Sequence, residues 1–335
     1  MAVSAAHASA WVGRRVLVTG ASGFLGSWVA KALVEQGARV VCLIRELVPD
    51  SYLTLSGTTP QVVQVPGELE DSAGLVRIFN EHEIDTCFHL AAQPIVTVAL
   101  RNPMSTFDSN VRGTWNVLEA VRTVAPRCRV VVASSDKVYG EADTLPYLET
   151  FPLKGAGPYD VSKVCTDLLA QSYAATYGLR IAIARCGNFY GPGDLNWSRI
   201  VPGTSRLLAE GRRPIIRSDG TLLRDYLYIG DAARAYMELA AHLDNGMAPG
   251  DAFNFGTERP TSVLSVVERL TDISGRTDLA PDIRNEAHHE IQSQYLSTNK
   301  ARREMGWTCQ VDLEEGLATT YQWYASLLRG RPLVV

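Results

Sequence analysis

The sequence lacks the features that mark membrane proteins, nucleic-acid-binding proteins and secreted proteins. Its 335 residues include 32 basic and 36 acidic side chains, a net charge of −4, so there is no excess of positive charge to hold a duplex. No uncharged apolar stretch reaches the ~18–20 residues of a membrane-spanning helix, and the most apolar one, residues 87–100, contains His89, Gln93 and Pro94. The start has no basic segment followed by an apolar core, as a signal peptide would have, and we expect residues 1–10 to form a flexible tail. These absences predict a cytoplasmic protein with no membrane and no nucleic-acid partner.

Cysteine pairs and metal-ligand spacings are also missing. Six cysteines lie far apart and form no C-x-x-C pair, which favours reduced thiols over a disulfide framework or a redox site. His288 and His289 are adjacent, but no further ligand stands at zinc-finger or metalloprotease spacing. We therefore predict an exposed loop at these histidines and no metal site.

Short apolar runs alternate with amphipathic stretches through the first half of the chain. We predict strands at residues 15–19, 39–44, 62–65, 86–91, 129–133 and 180–184, and helices at 24–36, 72–82, 103–124 and 159–177. This alternation is typical of an α/β fold with a doubly wound parallel sheet, and the continuously apolar strands fit burial on both faces. After Arg185 the periodicity weakens. Later elements are predicted as helices at 231–242, 261–274 and 313–328 and a strand at 252–255.

The change of pattern predicts two domains. A dinucleotide-binding sheet domain is expected from residues 11–185 together with about 226–258. A smaller, discontinuous C-terminal domain is expected from about 186–225 together with 259–330. The chain then crosses between the domains more than once.

Three glycines follow the first predicted strand in the segment GASGFLG. Gly20 permits a tight turn from strand to helix, Gly23 lets a pyrophosphate approach the backbone, and Gly26 lets the helix pack close to the sheet. The free N–H groups of the helix N-terminus then face the phosphates. A plain glycine turn is the alternative, but a strand before and a helix after the motif favour dinucleotide binding.

The residues after the second strand leave the choice of dinucleotide open. An acidic residue about 20 positions past the glycines would hold the adenosine ribose 2′-hydroxyl of NAD. The chain has Arg45 and Glu46 there. Arg45 could face the 2′-phosphate of NADP, stack on adenine, or lie at the surface beside Glu46, so both NAD and NADP stay possible.

Tyr159 and Lys163 stand four residues apart at the start of a predicted helix, on one helix face. An ammonium group beside a phenol favours the phenolate, so we expect the pKa of Tyr159 to fall from ~10 toward neutrality. Such a tyrosine can remove a proton from an alcohol while hydride leaves the same carbon.

With these motifs in place, the chain resembles the extended short-chain dehydrogenase/reductases of the nucleotide-sugar epimerase/dehydratase group, over about residues 13–328. The resemblance rests on the segments GASGFLG, HLAAQ (89–93), Asn110, SSDKVYG (134–140), YDVSK, RCGNFYGPGD (185–194) and RDYLYIGD (224–231). It implies a Rossmann domain, tightly bound NAD or NADP, with NAD the family's usual choice, and a nucleotide-sugar substrate held by the smaller domain. It also implies a homodimer formed through the helices at 103–124 and 159–177.

The resemblance carries site residues with it. Besides Gly20, Gly23, Gly26, Arg45, Tyr159 and Lys163, it implies cofactor contacts at Ser22, Phe24, Leu25, Glu68, Leu69, Leu90, Ala91, Ala92, Gln93 and Asn110. It implies substrate contacts at Gln93, Ser135, Asn188, Arg199, Arg217 and Arg224, of which Arg217 and Arg224 would meet the pyrophosphate. Arginines exposed at the surface of a loop-rich segment are the alternative.

The triplet Ser135-Asp136-Lys137 bears on the reaction. The resemblance places Ser135 at the sugar 4-hydroxyl, and Asp136 and Lys137 where 4,6-dehydratases have an acid and a base and 4-epimerases have inert residues. At this triplet the chain is similar first to the CDP-glucose 4,6-dehydratases and second to the GDP-mannose 4,6-dehydratases. The segments GASGFLG and RDYLYI are nearer to epimerases and other dehydratases, which leaves the nucleotide base open.

The resemblance to the dehydratases implies a full reaction at these residues. Tyr159 would remove the 4-hydroxyl proton, Lys137 the C5 proton, and Asp136 would protonate the departing 6-hydroxyl. A 4-epimerase, including uronic acid forms, is the enzymatic alternative, and a cofactor-sensing regulator the non-enzymatic one.

Overall fold

The structure is a computed structural model that describes residues 10–286 and 291–330. The predicted tail, apart from Ala10, and the predicted loop at His288 and His289 lie outside the described residues.

A parallel seven-stranded sheet forms the centre of the fold. The strands of the described residues are β1 (Arg15–Thr19), β2 (Arg39–Ile44), β3 (Val63–Pro66), β4 (Thr86–His89), β5 (Arg129–Ala133), β6 (Ile181–Cys186), β7 (Asn188–Tyr190), β8 (Ile215–Ile216), β9 (Leu223–Arg224), β10 (Tyr226–Tyr228), β11 (Asp251–Phe255), β12 (Thr261–Ser262), β13 (Asp282–Ile283) and β14 (Ser293–Gln294). The central sheet has the order β3-β2-β1-β4-β5-β6-β11, and all its pairs are parallel. The strand order changes direction between β1 and β4, which is where ligands bind in sheets of this kind.

Helices cover both faces of this sheet. The α-helices of the described residues are α1 (Phe24–Glu35), α2 (Tyr52–Leu55), α3 (Ser72–Glu81), α4 (Val96–Arg101), α5 (Pro103–Phe107), α6 (Gly113–Val124), α7 (Pro158–Tyr177), α8 (Ile200–Ala209), α9 (Ile229–His242), α10 (Val263–Ser274), α11 (Asn299–Met305) and α12 (Leu313–Leu328). In β1, Val16 and Val18 pack against α1 and α9, while Leu17 faces α3, α6 and α7. The predicted α/β class with a Rossmann-type doubly wound sheet is confirmed.

The helix predicted over residues 103–124 is not continuous. It divides into α5, a π-helical turn at Asp108–Arg112, and α6. Such turns often occur at functional sites. The turn buries Asn110, and α6 begins at Gly113, where a β-carbon would come within 2.8 Å of Leu69. The apolar spacing of the sequence continues through this turn, so periodicity alone does not reveal the break.

Short strands and three helices form a second, smaller layer. Strand β7 pairs with β10, β9 lies between β12 and β14, and β8 pairs with β13. Helices α8, α10 and α12 pack around a core that includes Tyr190, Val201, Leu208, Val266 and Leu317. Helix α11 falls in the second predicted domain by sequence, yet it packs on β11 of the central sheet. No helix among the described residues has the length and apolarity to cross a bilayer.

A buried threonine–histidine pair fixes the loop that follows β4. Thr19, the last residue of β1, accepts hydrogen bonds from the backbone N–H groups of Leu90 (3.1 Å) and Ala91 (3.2 Å). Its hydroxyl also lies 3.0 Å from Nδ1 of His89. Strand β1 and the loop after β4 are therefore joined by side-chain bonds as well as by the sheet ladder.

The other ring nitrogen of His89 joins the same network to α6. His89 Nε2 lies 3.0 Å from the hydroxyl of Thr114, and that hydroxyl donates to the carbonyl of Asn110. Thr114 must therefore accept from Nε2–H, which assigns Nδ1 as the acceptor from Thr19. Burial, and secondarily the positive charge of Lys163, lower the pKa of His89 to about 3. The imidazole is neutral at physiological pH.

This lowered pKa predicts acid sensitivity of the fold. Below the ordinary histidine pKa of about 6.5, the unfolded chain binds a proton at His89 that the folded chain does not bind. We expect this residue to lower the free energy of unfolding by about 1.4 kcal/mol per pH unit as the pH falls from about 6.5 toward 3. In urea unfolding across this range, His89→Gln should reduce the pH slope by one proton. An imidazole of His89 that titrates near pH 6.5 by NMR would contradict the expectation.

Candidate active site

A cleft of about 1150 Å³ runs along the C-terminal ends of the sheet strands. Residues that follow β1, β2, β3, β4, β5 and β6 line one side, and residues of α8, β8 and β9 line the other. Pockets for one small ligand usually have ~300–1,000 Å³, so this cleft has room for two.

The glycine turn forms one end of the cleft. Gly20 has a φ of +74°, and a β-carbon there would come within 2.8 Å of the Ala91 backbone. A β-carbon on Gly26 would overlap the carbonyl of Gly20. Helix α1 begins after Gly23 with no side-chain cap and no acidic residue in its first turn, which leaves its first N–H groups for an anion. The turn therefore fits the pyrophosphate of a dinucleotide, as the sequence predicts.

Most of the predicted cofactor residues lie along the same cleft. Its lining includes Gly20, Ser22, Gly23, Phe24, Leu25, Gly26, Arg45, Glu68, Leu69, Leu90, Ala91, Ala92, Tyr159 and Lys163. Arg45 is exposed and forms an ion pair of 3.6 Å with Glu46, which also lines the cleft. The structure thus places both candidates for the ribose contact at the same position.

The structure does not bring Gln93 and Asn110 into this lining. Asn110 is buried, and its side chain accepts from the N–H of Gln93 (2.7 Å) and donates to the carbonyl of Gln93 (3.2 Å). It also donates to the hydroxyl of Ser162 (2.9 Å), which donates to the carbonyl of Tyr159 (2.6 Å). Asn110 therefore connects the loop after β4 to the first turn of α7, behind the cleft.

Tyr159 and Lys163 lie in that first part of α7. The Lys163 ammonium is buried and donates to the carbonyl of Ala133 at the end of β5 (2.8 Å). Burial lowers the pKa of Lys163 to about 8, and the charge of Asp167 opposes this. Burial raises the pKa of Tyr159 to about 12, and a hydrogen bond with Ser135 opposes that rise. The sequence predicts a lowered pKa for Tyr159, whereas in the chain by itself desolvation of the phenol is the largest effect and raises it.

Ser135, Asp136 and Lys137 follow β5 and line the cleft beside Tyr159. The hydroxyl of Ser135 donates to Oδ1 of Asp136 (3.1 Å) and accepts from the N–H of Lys137 (3.2 Å). Asp136 is buried, and its Oδ2 has no hydrogen-bond partner among the described residues. The alternative of a solvent-facing charged pair does not fit, because Asp136 is shielded from water.

Besides Ser135, four of the predicted substrate residues line the cleft. Asn188, Arg199, Arg217 and Arg224 all belong to its lining. Arg224 is buried and donates to the carbonyl of Leu223 (2.9 Å), and Arg199 pairs with Asp194 (2.9 Å). Arg217 is exposed at the cleft. The arginines are therefore part of the cleft wall and not scattered over the surface.

A buried ion pair lies behind the turn at residues 134–137. Arg185 bonds both oxygens of Asp167 (2.8 and 2.9 Å), and Asp167 also accepts from the hydroxyl of Ser134 (2.7 Å). Arg185 further donates to the phenol oxygen of Tyr139 (3.0 Å). Helix α7, strand β6 and the turn after β5 are joined by this pair.

Sequence reasoning did not find all residues of the site. Arg206, Arg212 and Arg284 also line the cleft, but they lie in segments of weak periodicity that gave no signal. Gln294 is fully buried and accepts a hydrogen bond from the Lys137 ammonium. It belongs to β14, a two-residue strand 157 positions after Lys137, and no local motif indicates it.

Comparisons with known proteins agree with this geometry. A family model described as GDP-mannose 4,6 dehydratase matches residues 17–320. A CDP-glucose 4,6-dehydratase of Salmonella typhimurium is 29% identical, over 97% of this chain and 94% of that protein. The structure of the dTDP-glucose 4,6-dehydratase DesIV of Streptomyces venezuelae, with NAD and TYD bound, is 27% identical with a TM-score of 0.85, over 95% of this chain and 98% of that one. A UDP-glucose 4-epimerase of Thermotoga maritima with UDP-glucose is 28% identical with a TM-score of 0.84, over 93% and 99%. The chain therefore belongs to the GDP-mannose 4,6-dehydratase family, among the nucleotide-sugar epimerases and dehydratases of the short-chain dehydrogenase/reductase group.

Proposed function

We propose that this protein is a nucleotide-hexose 4,6-dehydratase that produces a 4-keto-6-deoxy sugar. The observation that carries the proposal is the position of Asp136 and Lys137, which line one cleft together with Ser135 and Tyr159 at the end of β5. A 4-epimerase oxidises and reduces only C4, so it needs no second acid and base. A dehydratase needs both, to move protons at C5 and at the 6-hydroxyl.

The cofactor and the chain divide the chemistry. A bound nicotinamide would supply the uptake and return of hydride that the reaction needs, which no side chain of the site can provide. The glycine turn and the residues after β2, β3 and β4 would hold the dinucleotide, and Arg217 and Arg224 the pyrophosphate of the substrate. Tyr159, in contact with Ser135, accepts the proton of the 4-hydroxyl.

The second half of the reaction falls to Asp136 and Lys137. The ketone at C4 makes the C5 proton acidic, and the neutral amine of Lys137 removes it. Asp136 in its protonated form gives a proton to the departing 6-hydroxyl, which leaves as water. Lys137 then returns a proton to C5 as C6 is reduced.

We propose that the cofactor is NAD. The DesIV structure carries NAD, and Glu46, an acidic residue of the kind that binds a ribose 2′-hydroxyl, lines the cleft next to Arg45. Arg45 keeps NADP as the alternative, because its guanidinium could bind a 2′-phosphate.

The cofactor proposal predicts the nucleotide that the purified protein carries. The enzyme must return the hydride it removes, so we expect NAD to stay bound through purification. Denaturation followed by chromatography of the released nucleotide would identify it. Release of NADP would move the ribose contact from Glu46 to Arg45, and a protein that neither carries nor binds either form would contradict dinucleotide binding.

We also propose two domains with the predicted boundaries, and a homodimer through the helices at 103–124 and 159–177. These helices expose apolar side chains at Met104, Trp115 and Leu168, which a partner subunit would cover. A cytoplasmic location remains a prediction, in keeping with six cysteines that are all unpaired in the structure.

A 4-epimerase, including uronic acid forms, is the second candidate function. The similarity to the Thermotoga maritima epimerase over nearly the whole chain favours it. In that case Lys137 would contact the substrate, for example a sugar carboxylate, without removing a proton from carbon.

Loss of the Tyr159 hydroxyl should abolish most of the activity. Tyr159→Phe removes the base at the 4-hydroxyl, and we expect turnover to fall by at least ~10²-fold while fold and nucleotide content stay unchanged. Tyr321→Phe, on α12 outside the cleft lining, serves as the control and should keep its turnover. Full activity of Tyr159→Phe on the true substrate would contradict the assigned mechanism.

Solvent deuterium should separate the two candidate reactions. In D₂O a dehydratase places deuterium at C5 of a 4-keto-6-deoxy product, because Lys137 exchanges its proton with solvent, whereas a 4-epimerase returns an isomer without label at C5. Lys137→Ala should permit oxidation at C4, seen as absorbance of the reduced nicotinamide, and stop elimination. Mass spectrometry and NMR of the products from a panel of nucleotide sugars provide the measurement. A C4 epimer with no C5 label from the wild type would exclude the dehydratase.

A further inference from the structure

We propose that Gln294 is the positioning residue of Lys137, and that its amide is selected at this place because it accepts a hydrogen bond without carrying charge. This inference rests on the proposed function of Lys137 as the base at C5. The Lys137 ammonium donates to Oε1 of Gln294, which belongs to β14 in the smaller layer, while Lys137 belongs to the turn after β5. The contact therefore joins the smaller layer to the turn after β5.

The surroundings of Gln294 fix its side chain. It is completely buried, and β14 pairs with β9 so that Gln294 stands opposite Arg224. Two residues on, Leu296 is buried against Val138 and Tyr139, the residues that follow Lys137. The segment that carries Gln294 thus packs on the same short turn that carries Lys137.

An uncharged acceptor suits a lysine that must lose its proton. Oε1 can accept an N–H hydrogen bond from the ammonium and, after the proton has left, from the neutral amine. The lysine nitrogen therefore stays in place through the proton transfer. A neutral amine that donates one N–H to Gln294 keeps its lone pair for the substrate. A carboxylate at the same place would also hold the nitrogen, but it would favour the protonated form and raise the lysine pKa.

The other groups around Lys137 set the background for this effect. Among the described residues they include Asp136 in its own turn, Tyr159 and Asp160 on α7, and, on the side of Gln294, Tyr147 and Arg224. Burial raises the pKa of Asp160, and the charge of Lys137 opposes this. Of these groups, Tyr147 also has a hydrogen bond with Gln294, so the comparison between the variants below uses the titration of Lys137 itself.

Gln294→Glu is the decisive variant. We expect it to raise the pKa of Lys137 by about one to three units, the usual effect of an opposite charge in contact. The acidic limb of the pH profile for C5 labelling in D₂O should move to higher pH by the same amount, and the rate should recover at high pH. Gln292→Glu is the matched control, because it adds the same charge to the same segment on an exposed side chain that bonds Thr221. It should leave the limb in place.

Gln294→Met keeps the volume and removes the acceptor. We expect elimination to slow by about tenfold to hundredfold at every pH, as for a misplaced catalytic group, while oxidation at C4 continues. The acidic limb of the pH profile should not move to higher pH. This variant also keeps the proposal testable if buried glutamate at 294 prevents folding, which circular dichroism would report.

A measurement without turnover separates this proposal from the proposed function. Competitive labelling of lysines with acetic anhydride across pH, read by mass spectrometry, gives the midpoint of Lys137 directly. An upward shift in Gln294→Glu but not in Gln292→Glu supports the contact even if the wild type proves to be an epimerase. An unshifted Lys137 midpoint in Gln294→Glu would overturn the proposal. If the wild type forms a C5-labelled product, an elimination rate of Gln294→Met within twofold of the wild-type rate would also overturn it.

Discussion

The buried ion pair between Asp167 and Arg185 is the interaction on which the geometry of the site depends. Asp167 lies two turns of α7 beyond Tyr159 and one beyond Lys163, and it also accepts from Ser134, the residue before Ser135. The pair thereby fixes the helix that carries the tyrosine relative to the turn that carries the acid and the base. A buried pair of this kind is costly to break, by about 3–5 kcal/mol when one partner is removed, because the other charge stays without compensation.

The ion pair and the Asn110 turn both hold helix α7 in place. Asn110 bonds the loop after β4 to Ser162, and Ser162 bonds the carbonyl of Tyr159. Helix α7 is therefore attached to β4 through an amide and to β5 and β6 through charges. This explains why the π-helical turn at residues 108–112 interrupts an otherwise regular helix: the irregularity brings a buried amide to the first turn of α7.

The sequence alone predicts the central sheet and the glycine turn, but it does not predict the elements of the smaller layer that line the cleft. Strands such as RVLVT and RVVVA are apolar and flanked by turns, and their bounds agree with the structure to within two residues. Helix α8 contains Pro202 and Gly203 and lies in a segment rich in turn residues, so its periodicity was weak. Gln294 could not be found, because its role arises from a contact between residues 157 positions apart. The pKa of Tyr159 was also beyond reach, since it depends on how far burial excludes water, which spacing along a helix does not reveal.

The contact between Lys137 and Gln294 has a consequence for the order in which the protein is made. All seven strands of the central sheet have been synthesised once residue 255 has left the ribosome, and each can pair with its neighbours from then on. The lysine of the catalytic turn, however, meets its partner only when residue 294 has also emerged and β14 has paired with β9. Domains fold as units during synthesis, and contacts between distant residues form late. A nascent chain can therefore have a complete dinucleotide cleft before its proposed base is in position. The residues that would bind the dinucleotide are then in place earlier than Lys137, the residue that would remove the C5 proton.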